Sequence, residues 1–185
     1  MEGFRAVIKG RQMNLQIIHI IGLPGAGKTT LAKQLSKKLK IPAYSIGYYR
    51  GRFPMTSIGE ADAWLALFCD LSKRKWCNCI IETTGLNARE GFLLDALPFD
   101  RIIIVKLEAS RKVLMQRIGL KKKSEQGGKW LYSGHFKNKY DFVNKLYPAF
   151  KEVVYRFAVK TDKMTKKEVF EAVLNRINME GYIEE

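Results

Sequence analysis

Gly22-Leu23-Pro24-Gly25-Ala26-Gly27-Lys28-Thr29-Thr30 decides how this 185-residue chain is read. The string fits G-x-x-x-x-G-K-[ST], a loop whose backbone N–H groups cradle phosphates. Ahead of it runs Leu15-Gln16-Ile17-Ile18-His19-Ile20-Ile21, short, apolar and β-branched, as a buried parallel strand should be. Behind it, Leu31, Ala32, Leu35 and Leu39 recur at helical spacing. Strand, glycine loop and helix form one unit.

Phosphate chemistry explains these residue types. Glycines let successive N–H groups turn inward with no Cβ in the way. The helix N-terminus adds partial positive charge. On this reading Gly22, Pro24, Gly25, Ala26, Gly27, Lys28, Thr29 and Thr30 bind a nucleotide. Lys28 reaches the β- and γ-phosphates, and the Thr29 hydroxyl ligates Mg²⁺.

The chain length suits one domain, residues 1–185, around one core. An apolar content of 46% supports a folded globule, and no apolar run approaches the ~18 residues of a membrane span. No secretory leader is visible. Cys69, Cys77 and Cys79 are an odd set without metal-site spacing and read as reduced thiols of a cytoplasmic protein.

Lys and Arg number 33 against 18 Asp and Glu, a net charge of +15. A small-metabolite enzyme has no need of that, and the excess favours a polyanion such as nucleic acid. The charge is concentrated. Five basic residues and no acidic one lie between Lys37 and Arg52, and six lysines with one glutamate lie between Lys121 and Lys139. Both stretches are expected at the mouth of the ligand crevice.

Residues 4–9 read as a short extra strand. Residues 41–46 read as the strand after the first helix, and its exit loop holds Tyr48, Tyr49, Arg50 and Arg52. In open α/β sheets ligands bind at the carboxyl ends of the strands. Arginines there suit phosphates and tyrosines suit bases, so Tyr48, Arg50 and Arg52 are candidate acceptor contacts. Ser57 to Glu60 reads as a capping box opening a helix over 60–73, with Ala61, Trp64, Leu65, Phe68, Cys69 and Leu71 inward.

Cys77-Asn78-Cys79-Ile80-Ile81-Glu82-Thr83-Thr84-Gly85-Leu86-Asn87 is a buried strand ending in a carboxylate and a glycine turn. A carboxylate there holds Mg²⁺ or orients the attacking group in phosphate-loop enzymes, which makes Glu82 a metal and catalytic candidate. Asn87 to Glu90 forms a second capping box, for a helix through Leu97. Residues 101–107 read as the fourth strand, and Ser110 caps the helix that follows it. Residues 119–139 are basic, glycine-rich and aromatic, and read as a lid with Trp130 against the acceptor. A helix over 141–152, a fifth strand over 153–159 and a last helix opened by the Thr165–Glu168 capping box complete the chain. This alternation predicts a three-layer α/β/α fold on a five-stranded, mostly parallel sheet.

From the glycine loop to the last helix, the chain resembles the small phosphate-loop kinases related to nucleoside-monophosphate kinases, and among them the polynucleotide-kinase-like group. The stretch 81–87, followed by Arg89, is similar to that group's strand ending in Asp, then Thr-Asn, then Arg. The stretch 105–117 is similar to its strand and arginine-bearing helix before the lid. The resemblance implies ATP and Mg²⁺ as cofactors, Asn87 and Arg89 near the acceptor, and Arg117 on adenine or phosphates as a catalytic residue. One departure stands out. The group ends its second strand with Ser-x-Asp-Asp-x-Arg, whereas Ser45-Ile46-Gly47-Tyr48-Tyr49-Arg50 keeps the serine and arginine and lacks both acids. Glu82 is then the first choice for acceptor base and Asp62 the second.

Three functions fit. The first is a kinase of a hydroxyl on nucleic acid, either a 5′-hydroxyl or that of a modified base such as a hydroxymethyl-pyrimidine. The second is a kinase of a free nucleoside, nucleotide or other small metabolite. The third is an ATP-switched nucleic-acid-binding protein without phosphotransfer. Charge and aromatic loops favour the first.

Overall fold

The computed structural model describes residues 6–8, 11–13, 17–54, 56–75, 78–86, 102–120 and 136–179. Strands β1 (Ala6–Ile8) and β2 (Arg11–Met13) pair antiparallel as a small sheet of their own. The main sheet holds β3 (Ile17–Ile21), β4 (Ala43–Ser45), β5 (Cys79–Thr83), β6 (Ile102–Glu108) and β7 (Phe157–Lys160). Its five strands are all parallel, in the order β4-β5-β3-β6-β7. The chain therefore leaves β3 toward one side of the sheet and returns to build the other side. That reversal is where open α/β sheets leave a crevice.

Side chains alternate across each strand, and both faces are covered. Ile18, Ile20, Ile80, Ile103, Val105 and Leu107 pack on α1 (Lys28–Leu39), α4 (Arg111–Gly119), α5 (Lys139–Lys151) and α6 (Lys166–Met179). Ile17, Cys79 and Ile81 pack on α2 (Ile46–Arg50) and α3 (Ser57–Lys73). The expected three-layer architecture is thus present. In α1 the buried residues are Leu31, Ala32, Leu35 and Leu39, the stripe that the sequence spacing indicates.

Several local expectations are corrected. Residues 46–50 form a short helix in place of a loop. Thr56, rather than Ser57, caps α3 by accepting from the Gly59 N–H at 3.0 Å. The buried stripe of α3 runs through Glu60, Ala63, Trp64, Leu67 and Leu71, while Leu65 and Cys69 face outward. The helix turns that way because Glu60 is itself buried and must meet its partner. The last strand begins at Phe157, since Val154 and Tyr155 are exposed before the chain enters the sheet.

Other caps match the sequence. Ser110 accepts from Val113 N–H, and Thr165 and Glu168 exchange hydrogen bonds at 2.7 and 3.2 Å. The Asn87 capping box and residues 121–135 of the lid-like segment lie outside the described residues. No described helix is long and apolar enough to cross a membrane.

Candidate active site

The phosphate loop leaves β3 and enters α1 through Gly25 at φ 87° and Gly27 at φ 100°. Both angles belong to the left-handed region that glycine adopts without strain. A Cβ on Gly25 would sit 2.9 Å from the Leu114 carbonyl, so α4 presses directly on the loop. Gly27 and Thr29 are exposed at the mouth, and Lys28 is half-buried with its Nζ donating to the Leu23 carbonyl at 3.2 Å. Loop backbone, ammonium and helix N-terminus converge on one spot, the arrangement a polyphosphate requires.

Glu82 closes the site from β5. Its Cα lies in register between Ile20 of β3 and Ser45 of β4. The carboxylate is only 5% exposed. Its Oε1 accepts from Thr29 Oγ1 at 2.9 Å, while Oε2 is buried and accepts no hydrogen bond from the described residues. A carboxylate oxygen buried without a donor is costly unless a cation completes it. Among the described residues no three His, Cys, Asp or Glu gather around a metal position. One carboxylate, one hydroxyl and the nucleotide's own phosphates are instead the donor set that suits Mg²⁺. The residues present therefore fit this ion, and Thr29 and Glu82 are the ones that would hold it.

Behind Glu82, Thr83 points to the opposite face. Its Oγ1 lies 2.7 Å from His19 Nε2 and accepts the Gly85 N–H at 3.2 Å. His19 is wholly buried, and that desolvation lowers its pKa to about 4, so the ring is neutral at physiological pH. The sequence reading passes over His19, although an ionisable residue inside an isoleucine strand is itself a signal.

Arg117 is engaged elsewhere than expected. Its Nη1 donates to Thr161 Oγ1 at 2.9 Å and its Nη2 to the Thr161 carbonyl. Asp162 accepts from the Ser110 N–H at 2.9 Å, and the hydrogen bonds from Ser110 hold its carboxyl below the usual range. Arg117 thus ties α4 to the turn after β7.

The acceptor side changes most. Arg50 is 8% exposed, and its Nε and Nη2 donate to the two oxygens of Glu60 at 3.0 and 2.8 Å. Trp64 Nε1 adds a third bond to the same carboxylate at 2.8 Å. This buried network clamps α2 to α3 and removes Arg50 from the candidate acceptor contacts. Tyr48 is 68% exposed, its ring edge-on to Tyr49 at 5.5 Å. Arg52 is exposed beside the Tyr49 and Phe53 rings, at 5.9 and 6.0 Å. Asp62 is half-buried on α3.

The first basic wall dissolves as well. Lys37, Lys38 and Lys40 stand at the far end of α1, which runs back from the phosphate loop to the amino edge of the sheet. Asn87, Arg89 and Trp130 lie outside the described residues.

Neither protein-family models nor curated proteins match this sequence. Solved structures do. The shikimate kinase from Acinetobacter baumannii in complex with shikimate superposes with a TM-score of 0.65 at 17% identity, over 93% of this chain and 97% of that one. Thymidylate kinase from Candida albicans gives 0.58 at 17%, over 92% and 95%. Deoxyadenosine kinase from M. mycoides gives 0.56 at 21%, over 89% and 100%. The chain has the fold of these kinases.

Proposed function

We propose that this protein is an ATP-dependent, cytoplasmic phosphotransferase whose acceptor is a small molecule: a nucleoside, a nucleotide or another hydroxyl-bearing metabolite. The observation that carries the reading is Glu82, buried beneath the phosphate loop with one oxygen on Thr29 and the other without a hydrogen-bond donor among the described residues. Lys28 and the loop N–H groups would hold the β- and γ-phosphates and offset the charge spread over the transferring group. Mg²⁺, when bound, would supply further charge neutralisation. The acceptor would lie at the carboxyl ends of β4 and β5, flanked by Gly47, Tyr48 and the Thr83–Gly85 turn. Gly47 and Tyr48 bring no carboxylate, so transfer would rest on positioning, which phosphoryl transfer tolerates.

The structural neighbours are kinases named for shikimate, thymidylate and deoxyadenosine, which favours a small acceptor. The nucleic-acid reading is weakened because Arg50 is buried and Lys37, Lys38 and Lys40 face away from the crevice. It retains the +15 charge, Tyr48 and Arg52.

Labelled γ-phosphate ATP offered side by side to nucleosides, nucleotides, hydroxy acids, sugars and oligonucleotides tests the reading. Transfer to a small acceptor, insensitive to moderate salt, is expected. Label appearing only on oligonucleotides, with efficiency falling steeply as salt rises, would restore nucleic acid as acceptor.

A further inference from the structure

His19 sits at the centre of β3, where every neighbour in the strand is an isoleucine. Ile81 and Ile104 flank it in register. An aliphatic side chain would cost less there, because the His19 Nδ1 is buried with no hydrogen-bond partner among the described residues. Either tautomer leaves that atom unsatisfied. What the imidazole gains is one contact, Nε2 to Thr83 Oγ1 at 2.7 Å.

That contact has an address. Thr83 follows Glu82 directly, and its hydroxyl oxygen accepts the Gly85 N–H. Gly85 has φ 80°, and a Cβ on it would come within 3.0 Å of Ile21 Cβ. The turn therefore lies flat across the end of β3, just where the phosphate loop begins. Since β5 stands between β3 and β4, the same turn separates the nucleotide side of the crevice from the α2 side. A chain of hydrogen bonds runs from the core strand, through Thr83, to the floor of the crevice.

We propose that His19 is a positioning residue for the acceptor: by holding the Thr83 hydroxyl it fixes the Thr83–Gly85 turn against Ile21 and sets the floor on which the acceptor rests beside Glu82. The hydrogen-bond chain stands by itself. The functional part rests on the small-acceptor reading above.

Four variants test it. His19→Leu fills the volume without a partner for Thr83. His19→Gln carries an amide near the place of Nε2. Thr83→Val removes the hydroxyl, and Thr83→Ser keeps it. Two measurements are made on each: hydrogen exchange of the Gly85 amide, and the KM values for ATP and for the best acceptor of the panel. In His19→Leu and Thr83→Val the Gly85 amide should exchange roughly tenfold faster, the worth of one net hydrogen bond. The acceptor KM should rise by a similar factor while the ATP KM stays within about twofold. His19→Gln and Thr83→Ser should lie near the parent. Should His19→Leu fail to fold, Thr83→Val carries the same comparison with His19 intact.

Unchanged Gly85 exchange in Thr83→Val overturns the proposal. So does an equal rise of both KM values, which would mark a merely structural pair. If no acceptor is phosphorylated at all, the small-acceptor reading falls by itself. Gly85 exchange and ADP–Mg²⁺ affinity then decide the His19 chain: faster exchange at unchanged affinity supports it, and unchanged exchange or a matching loss of affinity overturns it.

Discussion

Along β3, the glycine loop and α1, the groups that would meet a ligand are backbone N–H groups, one ammonium and one hydroxyl, all within nine consecutive residues. Along β4, α2 and α3, the groups that shape the crevice are side chains brought together by packing: Arg50 on Glu60, Trp64 on the same carboxylate, and Tyr49 on Asp70 at 2.8 Å. The first region would bind with conformation, which a short string can encode. The second is shaped by contacts that no local string contains.

The largest expected effects fall on the first region. Lys28→Ala should leave the fold intact, because Lys28 is half-buried at the loop and belongs to none of the apolar core clusters. Turnover should fall by ~10²–10³-fold, the usual consequence of removing one group that stabilises developing charge. Glu82→Gln should lower turnover comparably and weaken the dependence on Mg²⁺, while ATP affinity without metal changes little. Steady-state rates and calorimetric nucleotide titrations at several Mg²⁺ concentrations measure both. Full activity in Glu82→Gln would mean that the orphaned oxygen serves no cation, and the contrast between the two regions would lose its firmest member.

In the second region the effect should be on stability rather than on nucleotide binding. Glu60→Ala leaves the Arg50 guanidinium and the Trp64 N–H buried without that carboxylate. Breaking a buried pair in this way costs about 3–5 kcal/mol. Replacing both partners, Arg50→Met with Glu60→Leu, should recover most of the loss, because an apolar pair of similar volume needs no desolvation. Urea unfolding of the three proteins reads this directly. If Glu60→Ala is stable and ATP binding falls instead, the clamp belongs to the nucleotide side and the two regions are not separate.

The fold was legible because its signals are periodic or conformational: an isoleucine strand, a glycine loop, and α1 with its stripe at 31, 32, 35 and 39. Periodicity misplaced the inward face of α3, since it weighs apolar residues and the stripe is led by buried Glu60. The same blindness hid Lys106, 1% exposed, whose ammonium donates to the Lys151 carbonyl at 2.9 Å and pairs with Glu108 at 3.2 Å. At the candidate site, the closeness of Lys28, Thr29 and Glu82 was legible because each stands at or just past the carboxyl end of a strand. The pairing of Arg50 with Glu60 and of Arg117 with Thr161 was not legible, because an arginine in a motif looks the same whether it faces ligand or a partner in the protein. His19 escaped because its partner Thr83 is 64 residues away.

The smallest effect concerns charge. Lys37, Lys38 and Lys40 end α1, and Lys73, Arg74 and Lys75 end α3 or follow it, all of them exposed. Both helix ends lie at the amino edge of the sheet. Their chains enter adjacent strands there, joined by the Ile80 N–H to Pro42 carbonyl bond of 2.9 Å. Cations at helix C-termini complement the helix dipole, a role that needs no ligand. Distance decides what else they can do. A helix of 12 residues is about 18 Å long, while salt at physiological strength screens exposed charges beyond about 8 Å. The lysines at the end of α1 should therefore be electrostatically invisible to a phosphate in the loop. Changing Lys37, Lys38 and Lys40 together to Gln should leave kcat and both KM values within about twofold at physiological salt. Stability should drop by only about 0.3–1 kcal/mol for the helix end. A several-fold rise in acceptor KM that grows as salt is lowered would show that the acceptor extends around the molecule to the amino edge. Only a long polyanion could do that, and the acceptor side would then be far larger than the crevice.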